Sequence, residues 1–276
     1  MPQIVQILGV PFIECLLIGM ILGCLGVHVL KREIIFIDIA MAQIAAVGSV
    51  AAAVALKAHA DGALSYACSI ACVLAAAGFY CAVRNAPAGI SLEAVIGISY
   101  AVAAAAALFL AGIAPGSHVH VHQMLAGSLL WTDWPRIAGG LAVFLPVGAV
   151  FIIFREPLNR LSEDYLGAAA DGMRTAWWDF LFYVLLGMVI NSAVRAAGVV
   201  AVFALLIIPA TISALFARGW VGRLLIAWAA AALGSAAGHL FAYRLDFSIG
   251  PSVAVFLGAE LIIAAAAAGL KLCQPK

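Results

Sequence analysis

Three of the six histidines in this chain, His118, His120 and His122, fall within five consecutive residues. In an extended segment alternate side chains point to one face, so all three imidazoles would lie together. In a helix only His118 and His122 would share a face. Imidazole is a common zinc ligand, and either form offers two or three imidazoles to a divalent metal. The spacing therefore indicates a metal-binding loop, with a merely polar loop as the alternative.

A second group of ionisable residues lies inside apolar stretches, where an Asp costs about 2.5–3.5 kcal/mol on membrane-insertion scales. The group consists of Glu14, Asp38, His239 and Glu260. One interpretation is a cation pathway, in which carboxylates act as hard oxygen ligands for manganese or another divalent ion. The other is hydrogen bonding between helices, or capping near the membrane interface. We favour the pathway for Asp38 and hydrogen bonding for the other three, which remain pathway candidates.

The composition indicates what must position these residues. Of 276 residues, 66% are hydrophobic and 10% are charged, whereas soluble domains are about 25% charged. A net charge of +1 gives no basis for nucleic-acid binding. Apolar stretches of about 20 residues predict an all-α polytopic membrane protein, with eight to nine transmembrane helices in one bundle that forms a single domain, 1–276. The candidate stretches are 7–30, 34–56, 63–83, 91–112, 136–154, 179–195, 198–217, 224–243 and 251–270.

The charged residues predict how the chain crosses the membrane. Ten of the fourteen Lys and Arg residues fall on one side when the nine stretches alternate, and positive residues mark the cytoplasmic side. This places the N-terminus outside, the C-terminus in the cytoplasm, and the histidine loop, at about 113–124, on the periplasmic or extracellular side. The division between two stretches is least marked around 191–200, where only NSAVRAAG separates them.

Small residues predict close packing of the helices. Gly19 and Gly23, like Gly234 and Gly238, have the spacing that lets helix backbones approach closely in lipid. We expect this packing within one bundle in preference to a dimer seam. Pro209 lies in the middle of a predicted span and removes a backbone hydrogen bond, which predicts a helix kink.

The longest non-apolar segment, 155–178, contains an amphipathic helical candidate at 161–173. Such a helix would suit docking to a cytoplasmic partner, and an ordinary loop with a helical turn is the alternative that the composition leaves open. The sequence holds no Walker phosphate loop and no His-Glu-x-x-His motif. We therefore expect transport or signalling, and no enzymatic activity in this chain.

Five motifs carry a resemblance to a known family. The most specific are WDFLFY, RAAGVVAVFALLIIPA and YRLDFSIGPSVAVFL, which begin at residues 178, 195 and 243. HVLKREIIFIDIAMAQIAAVG and MLAGSLLWTDWP begin at residues 28 and 124. Together, and in the right order, they resemble the membrane permeases of metal-type ABC importers, which serve zinc, manganese or iron uptake. The resemblance covers most of the chain.

The resemblance implies a complex in the plasma membrane of a prokaryote. It would contain two permease copies, two cytoplasmic ATP-binding subunits that hydrolyse ATP, and an external solute-binding protein. Zinc or manganese, or else iron, would be the cargo, with no tightly bound cofactor. The segment 161–174 would be the coupling helix, ended by Gly172, with Glu163, Asp164 and Arg174 facing the ATP-binding subunit. The alternatives are a permease for a metal chelate or another small solute, and a carrier that needs no ATPase.

The second span departs from the family pattern. Many members carry Asp and His four residues apart in a Gly-Asp-Ala-Leu-Ser-His-Ala motif that is implicated in metal passage. Here Gln43 stands at the His position and Ile39 at the Asp position, while Asp38 lies one position earlier. Five residues rotate a helix by about 500°, against about 400° for four, so Asp38 and Gln43 point less nearly in one direction. The chain resembles a branch with Ala-Gln in place of Ser-His, and Asp38 and Gln43 are its candidate pathway ligands.

Replacing His118, His120 and His122 together by alanine tests the histidine loop. We expect metal uptake to fall at low metal concentration, because a capture site is lost, while complex assembly and the maximal rate stay unchanged. The measurement is the initial rate of uptake across a range of metal concentrations. Uptake identical to that of the wild type at every concentration would show that the loop is merely polar.

Overall fold

The computed structural model describes residues 2–57, 62–84, 90–113, 127 and 129–272. Within these ranges the chain is all-α, with eleven α-helices, one short 3₁₀ helix (Leu129–Trp131) and no β-strand. The α-helices are α1 (Pro2–Lys31), α2 (Ile37–Leu56), α3 (Ala63–Arg84), α4 (Leu92–Ile113), α5 (Trp134–Ile153), α6 (Arg155–Glu163), α7 (Tyr165–Ala170), α8 (Thr175–Ala197), α9 (Val199–Phe216), α10 (Trp220–Leu245) and α11 (Ile249–Leu272).

Nine of the helices in the described ranges, all except α6 and α7, are long and apolar enough to cross a membrane. A helix bonds its interior backbone groups within itself, which a bilayer requires because its core offers no water. The nine helices correspond to the nine predicted stretches, and this confirms the all-α polytopic class. Helices α8 and α10 each start four residues before the predicted apolar stretch, because polar and aromatic residues at the stretch ends continue the helical turn.

The boundary between α8 and α9 is a single residue, Gly198. Its φ of 82° and ψ of 159° belong to a region of backbone conformation that is open to glycine and closed to most other residues. Gly127, with a φ of 74°, lies so close to this turn that an added Cβ would clash with the Ala197 carbonyl group. The two predicted stretches around 191–200 are therefore separate helices, divided by one glycine.

The described residues group into two compact units, and the first consists of Met1–Leu30, Ala126–Ala142 and Ala196–Lys276. In this unit α9, α10 and α11 pack against one another. Helix α9 continues through Pro209, which is buried, so the predicted kink remains a prediction. The prediction of a single domain over 1–276 also stays a prediction.

Glycines set the helix spacing in the first unit. A Cβ added at Gly19 of α1 would lie 3.1 Å from the Cβ of Ala231 on α10. A Cβ added at Gly238 of α10 would lie 2.6 Å from the Cα of Val253 on α11. Real Cβ atoms do not approach backbone so closely, so Gly238 is required for this packing. The predicted small-residue contacts inside one bundle are thus present in the chain.

The second unit consists of Lys31–Leu125 and Val143–Arg195. Helix α2 packs against both α3 and α4. Gly187 brings α8 close to the same helices, because an added Cβ would lie 2.9 Å from the Met41 sulfur of α2 and would clash with Val73 of α3. The rings of Tyr80 and Tyr183, both fully buried, meet edge to face with centroids 6.4 Å apart.

The predicted helix at 161–173 is wrong as a single element, because the chain forms two helices there. Asp164 has an extended backbone, with φ of −142° and ψ of 87°, and its carboxylate accepts a hydrogen bond from the Gly167 N–H at 2.9 Å. It therefore ends α6 and caps α7. Gly172, with φ of 78°, ends α7 as predicted: its N–H bonds to the Ala169 carbonyl and the next N–H to the Ala168 carbonyl, the Schellman pattern.

Gly238→Ala and Gly258→Ala form a matched pair that tests the packing of α10 on α11. Nothing lies within 4 Å of a Cβ added at Gly258, so this variant should gain about 0.5–1 kcal/mol of helix stability. Gly238→Ala should lose about 1–3 kcal/mol through overpacking. The measurement is the thermal unfolding midpoint in detergent, and equal midpoints for the two variants would contradict the packing described.

Candidate functional site

A buried ion pair lies at the centre of the second unit's most polar region. Arg32 follows α1 directly, and Asp179 lies in the first turns of α8. Their side chains are fully buried, and Arg32 Nη1 lies 2.7 Å from Asp179 Oδ1. Arg84, the last residue of α3, places its Nε 3.3 Å from Asp179 Oδ2. One carboxylate thus bridges two guanidinium groups from distant parts of the sequence, and we call Arg32, Arg84 and Asp179 the arginine clamp.

The clamp residues also contact the junction of α6 and α7. Arg32 Nε donates a hydrogen bond to Ser162 Oγ at 3.0 Å, and the guanidinium of Arg84 stacks 4.5 Å from the ring centre of Tyr165. Nearby, Lys31 Nζ forms an ion pair with Glu163 at 2.7 Å. The predicted partner-binding segment is therefore fixed to residues that are far from it in the sequence.

Aromatic residues of α8 pack against the guanidinium groups of the clamp. The guanidinium of Arg32 lies 4.1 Å from the ring centre of Phe182, and the Tyr183 hydroxyl accepts a hydrogen bond from Arg84 at 3.2 Å. Burial lowers the pKa of Arg32, and the Asp179 carboxylate opposes that shift. Arginine nevertheless stays protonated in proteins, so the clamp holds two positive charges and one negative charge.

The outer face of the α6–α7 segment, defined as residues 155–174, carries the predicted coupling residues. Glu163, Asp164 and Arg174 are all exposed, although Glu163 is also the partner of Lys31. Arg160 and Asp171 form an exposed ion pair across the segment. The segment thus presents acidic and basic groups outward, while its inner face, with Leu158 and Leu161 as examples, is buried.

Asp38 lies in the first turn of α2 and is only 2% exposed. Its Oδ1 has no hydrogen-bond partner among the described residues. Glu93, in the first turn of α4, accepts a hydrogen bond from the backbone N–H of Phe36 at 3.2 Å. Gln43 is part-buried on α2, and five residues of helix turn it about 140° away from Asp38. The structure therefore does not bring Asp38 and Gln43 to one face.

The pathway candidates of the first unit differ in how well their polar atoms are satisfied. Glu14 accepts a hydrogen bond from the Thr132 hydroxyl. His239 Nδ1 lies 2.8 Å from the Ser235 carbonyl oxygen. The Glu14 contact fits the hydrogen-bonding interpretation. The His239 contact lies within α10, and His239 Nε2 has no hydrogen-bond partner among the described residues. Glu260 Oε2 is buried and has no partner within the described residues.

The structure does not gather the sequence-predicted ligands into one centre. Among the residues that it describes, no three His, Cys, Asp or Glu side chains lie close enough to hold a metal ion. Asp38 and Gln43 belong to the second unit, and Glu14, His239 and Glu260 to the first. His118, His120 and His122 lie outside the described residues, so their role as a capture site stays a prediction.

The clamp residues were missed by sequence reasoning. Arg32 and Arg84 look like ordinary loop charges at the ends of apolar stretches. Asp179 had a usable signal, because a lone aspartate at the edge of an apolar stretch is costly unless it is paired. Its partners, however, lie 147 and 95 residues away in the sequence, and no local spacing identifies them.

Comparison with known proteins gives a family and a fold. The model of the ABC 3 transport family matches residues 5–268. The manganese import system permease protein ScaB of Streptococcus parasanguinis is 29% identical over 167 residues, which cover 59% of this chain and 58% of that protein. The match thus spans little more than half the length of this relative.

Two solved structures have a similar fold. PsaBC from Streptococcus pneumoniae, in complex with Fab, gives a TM-score of 0.78 at 22% identity and covers 93% of this chain and 90% of its own. An inward-facing putative metal-chelate type ABC transporter gives 0.72 at 18% identity, with 93% and 85% covered. The helical architecture described above is therefore one that has been observed experimentally.

Two substitutions of Asp164 test its role as the cap of α7. Asp164→Ala should cost about 1 kcal/mol because the Gly167 N–H loses its acceptor, and Asp164→Asn should cost little because Asn caps equally well. Both substitutions remove the charge, so any difference between the two variants reports the capping hydrogen bond alone. The measurement is amide hydrogen exchange over Tyr165–Ala170, which should be about fivefold faster in Asp164→Ala alone. Equal acceleration in both variants would contradict a capping role.

Proposed function

This chain belongs to the ABC 3 transport family, and we propose that it is the transmembrane permease subunit of an ATP-driven importer for divalent metal ions. The observation that carries the proposal is the family match over residues 5–268, which reaches all nine candidate spans. The similarity to a manganese import permease supports manganese as the first cargo to test. Zinc and iron are the ions to compare with it.

The α6–α7 segment supports a division of labour between subunits. The sequence has no phosphate loop, so ATP hydrolysis belongs to separate cytoplasmic ATP-binding subunits. Asp164, between α6 and α7, and Arg174, after the end of α7, are exposed, and the inner side of the α6–α7 segment contacts the arginine clamp. A segment that is fixed by contacts on its inner side and carries charged groups on its outer side suits docking to such a subunit. Glu163 adds an acidic group to the same face.

Asp38 is the strongest candidate for a pathway ligand. A buried carboxylate oxygen without a partner is costly, and a passing divalent cation would satisfy it. Oxygen ligands suit manganese better than soft metals. Gln43, Glu14, His239 and Glu260 are the further candidates along the path, and His118, His120 and His122 would capture the ion outside.

The assembled importer would contain a second copy of this chain and an external solute-binding protein. It would lie in the plasma membrane of a prokaryote, with the N-terminus outside and the C-terminus in the cytoplasm. This orientation follows from the excess of Lys and Arg on one side of the spans. The external protein would deliver the ion on the side of the histidine loop.

Reconstitution tests the proposal directly. The chain is purified with the ATP-binding subunit encoded beside it and placed in proteoliposomes, and uptake of Mn²⁺, Zn²⁺ and Fe²⁺ is measured with and without ATP. We expect uptake of at least one ion that requires ATP. Uptake by vesicles that contain this chain alone would indicate an independent carrier, and transport of chelated metal only would indicate a chelate permease.

Asp38→Asn and Asp246→Asn are a matched pair for the pathway. Both make the same chemical change, but Asp246 is exposed and lies between α10 and α11. Its φ of 58° is one that Asn adopts readily. ATP-dependent Mn²⁺ uptake should fall about tenfold in Asp38→Asn, a barrier increase of about 1.4 kcal/mol, and stay unchanged in Asp246→Asn. Equal uptake by both variants would remove Asp38 from the pathway.

A further inference from the structure

The arginine clamp joins elements that the chain itself leaves far apart. The α6–α7 segment is connected by sequence only to α5 and α8, its immediate neighbours. Through Ser162 and Tyr165 the segment also contacts Arg32 and Arg84. Arg84 is the last residue of α3, and Arg32 precedes the start of α2 by five residues. A displacement of the segment would therefore reach α2 and α3 through side chains, not through the backbone.

We propose that Arg32, Arg84 and Asp179 are positioning residues that transmit movement of the α6–α7 segment to α2 and α3, and so couple ATP hydrolysis to transport. The inference rests on the proposed function, because it assumes that an ATP-binding subunit docks on this segment. It extends that function by assigning the coupling to a buried electrostatic link behind the docking surface.

The geometry of the Arg32 contacts favours a role in transmitting movement over a role in merely holding the elements together. A guanidinium is planar and carries donors in a fixed fork, so its contacts set an orientation as well as a distance. Arg32 uses one face against Phe182, one nitrogen for Asp179 and another for Ser162. A rotation of α6 would have to rotate this guanidinium or break one of the three contacts. An apolar contact of similar area would let the surfaces slide.

The electrostatics make Asp179 the shared element. It contacts the buried Arg32 and the part-buried Arg84, so its charge keeps two guanidinium groups at one place. Without that charge the two guanidinium groups repel each other in a region of low dielectric. The segment and the ends of α3 and α8 would then move independently, although each helix could remain folded.

The position of Asp38 connects the clamp with the proposed pathway. Asp38 lies six residues after Arg32, in the first turn of α2. Glu93 of α4 holds the backbone just before it, through the Phe36 N–H. A shift of Arg32 would be carried by this short segment to the turn that contains the buried carboxylate. The proposed device therefore joins the ATPase-facing surface to a candidate cation ligand.

Two clamp variants test the inference. The control variant lies on α8, the helix that carries Asp179. Asp179→Asn removes the charge and keeps the shape, while Arg32→Lys keeps the charge and loses the fork. Arg195→Gln is the control, because it removes a part-buried charge that donates to Ser69 about 24 Å further along α8. Each variant is purified as the complex with the ATP-binding subunit and reconstituted in proteoliposomes.

The readout is the number of Mn²⁺ ions taken up per ATP hydrolysed, measured for assembled complex only and alongside its thermal unfolding midpoint. We expect the ratio to fall about tenfold in Asp179→Asn, within the range that residues in coupling networks produce. It should fall by a smaller factor in Arg32→Lys and stay unchanged in Arg195→Gln. A merely structural role would lower the amount or stability of the complex and leave the ratio unchanged.

The outcomes separate this inference from the proposed function. Wild-type complex without any ATP-dependent uptake of Mn²⁺, Zn²⁺ or Fe²⁺ would overturn the proposed function. Wild-type uptake with an unchanged ratio in Asp179→Asn would overturn the clamp proposal alone. If Asp179→Asn does not assemble, the ratio in Arg32→Lys decides. Failure of both variants to assemble would reduce the clamp to a structural role and overturn the inference.

Discussion

The ion pair between Arg32 and Asp179 is the interaction on which the arrangement of the second unit depends. Taking two charges out of water costs several kcal/mol per ion even after the protein relaxes. Two further contacts offset part of this cost, because Arg84 forms an ion pair with the same carboxylate and Ser162 accepts a hydrogen bond from Arg32. Arg32 Nη2 has no hydrogen-bond partner among the described residues. Each partner comes from a different element. Because burying the charges is costly without these partners, the elements that carry the partners must meet at one point.

That requirement can be met only where helices approach closely, and glycine makes the approach possible. Gly187 lies eight residues, about 12 Å of helix, beyond Asp179 on α8. Its missing side chain lets α8 contact Met41 of α2 and Val73 of α3. With α3 and α8 at this distance, Arg84 at the end of α3 can reach the Asp179 carboxylate. Apolar packing and the buried ion pair thus depend on each other, and neither is sufficient alone.

The sequence predicted what is local and missed what is long-range. The nine spans followed from apolar length, and the helix end at Gly172 followed from the family resemblance. The division of the segment into α6 and α7 was missed, because the amphipathic pattern continues across Asp164 while its carboxylate favours a cap. The clamp was missed because Asp179 lies more than 90 residues from either arginine. The periodicity of a helix predicts which of its faces is buried, but not which distant residue packs against that face.

The fold also separates the polar residues inside the spans, according to whether their polar atoms have hydrogen-bond partners. Glu14 accepts a hydrogen bond from Thr132, and this contact offsets part of the cost of burying it. His239 Nδ1 contacts a carbonyl of its own helix, while its Nε2 has no partner among the described residues. Asp38 Oδ1 has none among the described residues, although its place in the first turn of α2 lets the helix dipole favour a negative charge there. A site that attracts negative charge but leaves it unpaired is suited to a transient cation, because permanent pairing would hold the ion. The unpartnered Oδ1 of Asp38 therefore supports the preference for Asp38 over Glu14 that its sequence motif already indicated.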